Sequence, residues 1–134
     1  MSGITQSDFD ALLEAARAAR ERAYAPYSEF SVGAAVLAGS GRIYPGCNVE
    51  NASYGLTLCA ERVAISSAVA AGEREFAAIA IVTQGTAPAS PCGACRQFLV
   101  EFNPEMAVVL ENERGDRQSF TAGDLLPGFF RFPG

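Results

Sequence analysis

The chain has 134 residues, a size that suits one domain with a single core, and its 49% hydrophobic and 19% charged residues exclude the disordered regime. Its formal net charge is −5, every one of its ten basic residues is Arg, and none of them forms a stripe, which argues against a polynucleotide partner. The N-terminal stretch has no basic region followed by an apolar run, and no apolar run approaches the roughly 18 residues of a membrane span. We therefore expect one domain over residues 1–134, cytoplasmic and without a membrane partner, whose cysteines serve as thiols or ligands rather than disulfides.

The first predicted element is a helix from Ser7 to Tyr24, with Phe9, Leu12, Leu13, Ala16, Ala19 and Ala23 on one face, Ser7 and Asp10 as its cap, and Pro26 as its stop. Two strands follow, Phe30 to Leu37 and Arg42 to Cys47, joined as a hairpin at Gly39-Ser40-Gly41. Val49 to Leu58 is polar and irregular and reads as a loop. A second helix starts at Cys59 and ends at Gly72. The apolar run Phe76 to Thr83 suits a strand buried on both faces. A loop to Pro91 leads into a third helix, Gly93 to Phe102, and the strands Met106 to Glu111 and Arg117 to Thr121 complete the chain. Helices alternating with strands imply an α/β protein with one mixed sheet covered on both sides. Both cysteine-bearing helices follow strands, and the carboxyl ends of strands are where such sheets place ligands.

Cys92 and Cys95 form a C-x-x-C pair in a chain without histidine. A redox pair would favour an early thioredoxin-like βαβ unit, whereas this pair lies late in the chain. A structural zinc site needs four ligands, and the fourth cysteine, Cys47, sits in a predicted strand, where a small buried role is expected. Cys59, Cys92 and Cys95 then remain as three ligands, and a three-ligand site keeps the open position of a catalytic zinc. Glu61 follows Cys59 by two residues, within reach of a water at that position. The elements Cys59-Ala60-Glu61 and Pro91-Cys92-Gly93-Ala94-Cys95 match the pattern of zinc-dependent nucleobase deaminases.

The stretches FSVGAAVLAGSGRIYPGCNVENASYGLTLCAERVAI and SPCGACRQFLVEF resemble the small homotetrameric cytidine deaminases, and DLLPGFF resembles that family's C-terminal segment. The resemblance implies a three-layer α/β/α fold with a five-stranded mixed sheet. It implies one zinc per subunit on Cys59, Cys92 and Cys95, with Glu61 as proton shuttle. It also implies that Asn48 and Glu50 bind the ribose, Phe30 packs on the pyrimidine and the Ala60 N–H meets a pyrimidine oxygen. Tyr54 and Phe130 match residues that reach a neighbouring subunit's site. The family often has Ala where this chain has Phe129, so either adjacent aromatic could take that last role.

The implied reaction is hydrolysis of cytidine and 2′-deoxycytidine to the uracil nucleosides and ammonia, as in pyrimidine salvage. Zinc would lower the pKa of a water, and Glu61 would move its proton to the ring nitrogen and then to the departing amine. Three thiolates leave such a site at −1, so two helix N-termini and Arg62 are expected to offset the charge. A nucleoside fits Asn48 and Glu50 better than a free base, which would leave both without partners, and Glu50 would repel a phosphate. A deaminase for a modified or antibiotic aminopyrimidine nucleoside is the alternative within the fold, and a structural-zinc or thiol-redox protein is the alternative outside it. Arg96 reads as a surface or interface residue, and the charges of the first helix read as an ordinary solvated face.

Overall fold

The computed structural model describes residues 4–86 and 91–130. Phe132, which with Phe129 and Phe130 makes an apolar tail in the sequence GFFRFPG, lies outside them. The elements are α1 (Gln6–Arg20), β1 (Val32–Ala38), β2 (Ile43–Cys47), α2 (Ala60–Ala70), β3 (Phe76–Thr83), α3 (Gly93–Phe102), β4 (Ala107–Glu111), β5 (Arg117–Thr121) and α4 (Ala122–Leu125), with a 3-10 turn at Tyr54–Leu56. The strands form one five-stranded sheet in the order β2-β1-β3-β4-β5. Only the β3–β4 pair is parallel; the other neighbours are antiparallel. The mixed sheet expected from the sequence is thus present.

Side chains alternate across the sheet and build two cores. Leu12, Leu13 and Ala16 of α1 pack on Ala35, Ala78, Ala80 and Val82. On the other side, Ala64, Ile65 and Ala68 of α2 with Leu99 and Val100 of α3 cover Val36, Ile79, Ile81 and Val108. The result is the three-layer α/β/α arrangement.

Two glycines bring the helices close to the sheet. A Cβ on Gly33 would lie 2.9 Å from the Arg20 Cα of α1, and one on Gly46 would lie 2.7 Å from the Ala60 carbonyl oxygen of α2. Gly46 pairs with Ala34 in the β1–β2 ladder. Backbone contact here fixes where α2 starts, and therefore where Cys59 and Glu61 sit.

Several boundaries differ from the sequence expectation. The cap of α1 is a box made by Thr5 and Asp8, not Ser7 and Asp10. Its predicted last turn is unwound because Tyr24 pairs with Val49: Tyr24 N–H donates to the Asn48 carbonyl at 2.9 Å, and Glu50 N–H donates to the Tyr24 carbonyl at 2.8 Å. Phe30 lies before β1 because the Asn48 side chain takes the place of a strand partner. Its Oδ1 accepts from Val32 N–H at 2.9 Å and its Nδ2 donates to the Phe30 carbonyl at 2.8 Å. The predicted irregular loop is closed by a Val49–Leu58 bridge. The short α4 was not expected; Thr121 and Asp124 form its capping box.

Candidate active site

β2 and β3 run in the same direction, since each is antiparallel to β1 between them. Their carboxyl ends therefore share one edge of the sheet. Cys59 and Cys92 are the N-cap residues of α2 and α3, and Cys95 is in the first turn of α3. Their three Sγ atoms lie within 4.8 Å of one another. Tetrahedral zinc, with Zn–S of about 2.3 Å, sets its sulfurs about 3.8 Å apart, so this donor set fits the ion and leaves a fourth position for a small ligand. Cys47 is outside the cluster. It is half-buried rather than in the core, with its Sγ 3.5 Å from the Arg22 carbonyl it donates to.

Positive groups lie where the sequence placed them, beside the sulfurs. Two helix N-termini face the cluster. Arg62 donates from Nη2 to Cys59 Sγ at 3.5 Å and to the Thr57 carbonyl at 3.2 Å. The Cys59 thiol is pulled down to about 5, first by its hydrogen bond with Cys95 and then by Arg62, against its burial. Cys95 is pushed up by the same hydrogen bond, by burial and by the nearby Glu61 charge.

Glu61 is only 5% exposed, and among the described residues it takes part in no ion pair. Burial raises its pKa, the Cys59 charge adds to the rise, and its own backbone N–H and the Cys95 hydrogen bond oppose it. A carboxyl in this setting can hold a proton and give it up again. It lines a cavity of about 190 Å³ together with Phe30, Asn48, Ala60 and Thr83, with Cys59 and Cys92 also on its wall.

Glu50 and Tyr54 line the adjoining cavity, and Thr57 belongs to both. Glu50 is held in place: its Oε1 accepts from Tyr27 N–H at 3.0 Å and Ser28 N–H at 3.1 Å, and its Oε2 accepts from the Ser28 hydroxyl. The Ser28 hydroxyl leads in keeping its pKa below the usual carboxylate range. Arg62 and Phe130 line neither cavity. Phe130 is 63% exposed, and its carbonyl accepts from Gln97 Nε2 at 3.0 Å.

Two residues near the site escaped the sequence reading. Arg96, read as a surface or interface residue, is half-buried and has a structural part: its Nε donates to the Pro91 carbonyl at 2.8 Å and its Nη1 to the Leu125 carbonyl at 2.6 Å, tying the cysteine loop to α4. The other is Thr83, whose hydroxyl is buried without a hydrogen-bond partner among the described residues. The single polar residue ending the run FAAIAIVT was the available signal.

The family model described as the cytidine and deoxycytidylate deaminase zinc-binding region matches residues 6–111. This chain belongs to that family. A cytidine deaminase of Sporosarcina psychrophila is 52% identical over 124 residues, covering 92% of this chain and 91% of its own. One from Halalkalibacterium halodurans is 50% identical over 124 residues, covering 92% of this chain and 94% of its own. The crystal structure of the Burkholderia pseudomallei cytidine deaminase superposes with a TM-score of 0.87 at 58% identity, over 90% of this chain and 98% of that one. As a member of a zinc-binding deaminase family, the chain holds its zinc site at the Cys59, Cys92 and Cys95 cluster. No helix among the described residues is long and apolar enough to cross a membrane.

Proposed function

We propose that the protein hydrolyses cytidine and 2′-deoxycytidine to uridine and 2′-deoxyuridine, releasing ammonia. The observation that carries this reading is a buried Glu61, in no ion pair among the described residues, on the wall of a cavity shared with two of the three clustered thiols. The chemistry that zinc supplies when bound is activation of a water for attack on the ring carbon that bears the amine. Glu61 accepts a proton from that water and passes it to the neighbouring ring nitrogen. The C–N bond then breaks, and the amine leaves as ammonia with the second proton delivered through the same carboxyl.

Phe30 supplies the face against which the pyrimidine packs, and its 37% exposure fits a ring waiting for a ligand. Ala60 offers its backbone N–H at the start of α2, where the helix leaves it without an internal partner. Asn48 has one N–H and one lone pair left after its bonds to β1, and these are offered to the ribose with the preorganised carboxylate of Glu50. Arg62 holds Cys59 and tempers the charge of the cluster.

The active assembly in this reading is a homotetramer in which Tyr54 and Phe130 reach a neighbour's site. Its support is an uncovered apolar rim: Tyr54 is 77%, Leu56 65% and Phe130 63% exposed. Phe129, by contrast, packs beside Gly123 of its own chain, which favours Phe130 as the reaching ring. A cytoplasmic setting fits thiols kept reduced for metal binding. Ammonia release from cytidine by the purified protein, with zinc content and sedimentation measured on the same sample, tests the reading. Zinc-loaded protein that releases none refutes it.

A further inference from the structure

Thr83 closes β3 on the face covered by α2 and α3, in register with Val32 across the β1–β3 ladder. It is 2% exposed, and among the described residues its Oγ1 has no hydrogen-bond partner. Two neighbouring polar side chains on the cavity wall do have partners in the fold. Asn48 bridges Phe30 and Val32, and Thr57 Oγ1 accepts from Asn51 N–H at 3.1 Å. A buried hydroxyl left alone destabilises the fold, and Val, of nearly the same shape and well suited to a strand, would avoid that cost. The orphan lies on the cavity that holds Phe30 and Glu61.

We propose that Thr83 is a specificity-determining residue of this site, its hydroxyl completing a hydrogen bond to the bound aminopyrimidine nucleoside. The proposal rests on the cytidine reading above. A site built to pair with a polar atom discriminates against ligands that lack it, so Thr83 would narrow the range of accepted rings.

The test compares the zinc-loaded parent with Thr83→Val and Thr83→Ser. It measures cytidine turnover, thermal midpoint, and calorimetric cytidine binding with each change placed in a Glu61→Gln background. We expect Thr83→Val to melt no lower than the parent while binding cytidine about tenfold more weakly and raising KM correspondingly, and Thr83→Ser to restore most of the loss. Weaker binding in a protein at least as stable cannot come from a purely structural role. If the parent deaminates cytidine and Thr83→Val binds it as tightly as the parent does, the proposal is overturned and the cytidine reading stands. If the zinc-loaded parent neither deaminates nor binds cytidine, the cytidine reading fails and this proposal with it.

Discussion

Two carboxylates are buried on opposite sides of one sheet, Glu61 at 5% exposure and Glu111 at 3%, and their surroundings push them in opposite directions. Glu111 faces α1, where Arg17 Nε and Nη2 each donate to it at 2.8 Å and Arg117 Nε donates at 3.0 Å. The Arg17 hydrogen bond leads in holding its pKa low, with Arg117 assisting against burial. Glu61 faces α2 and the sulfurs, and burial raises its pKa. Equal burial therefore does not mean equal function. A carboxylate supplied with two guanidinium groups ties elements together, and one kept from such partners is free to exchange a proton.

That contrast can be broken at several points. The largest effect is expected from Cys95→Ser, which removes a buried ligand: stoichiometric zinc and turnover should both be lost, as read by metal analysis and ammonia release. Gly46→Ala and Gly33→Ala come next, each adding a methyl where a helix backbone touches the sheet. Both should lose about 1–3 kcal/mol in denaturant unfolding. Gly46→Ala alone should also lower zinc occupancy, since only α2 carries Cys59 and Glu61.

Glu111→Gln should cost about 1–2 kcal/mol near neutral pH, a modest figure because Arg17 and Arg117 are half-exposed, and should leave turnover unchanged. The folded pKa of Glu111 is depressed, so its contribution is present above the unfolded value and lost as pH falls through the folded one. The stability gap between parent and variant should close on acidification, and a constant gap from neutral to acid would contradict the assignment. Arg62→Gln is expected to be the mildest, keeping the fold and lowering turnover about tenfold through Cys59. Unchanged kinetics with unchanged zinc would remove Arg62 from the site.

The sequence made some of this contrast visible and not the rest. Local hydrophobic patterning gave β3 and α3 with the bounds observed, and the spacing of Cys59, Glu61, Cys92 and Cys95 carried the metal cluster. Pairing between distant segments was not legible. The end of α1 obeys helical periodicity on paper, yet Tyr24 has a better backbone partner in Val49, 25 positions along. Arg17 reads as an ordinary solvated charge because Glu111 is 94 residues away. Arg96 and Thr83 fail in the same way, since a carbonyl to hold or an empty hydroxyl exists only after the chain has folded. α4 escaped because four residues are too few to show a period, although its Thr121 and Asp124 box was present to be read.

The most direct test sets the two carboxylates against each other: ammonia release from cytidine by zinc-loaded Glu61→Gln and Glu111→Gln beside the parent. The account predicts a fall of about 10²–10⁴-fold for Glu61→Gln at unchanged zinc content and parental turnover for Glu111→Gln. Parental turnover by a fully zinc-loaded Glu61→Gln would contradict it.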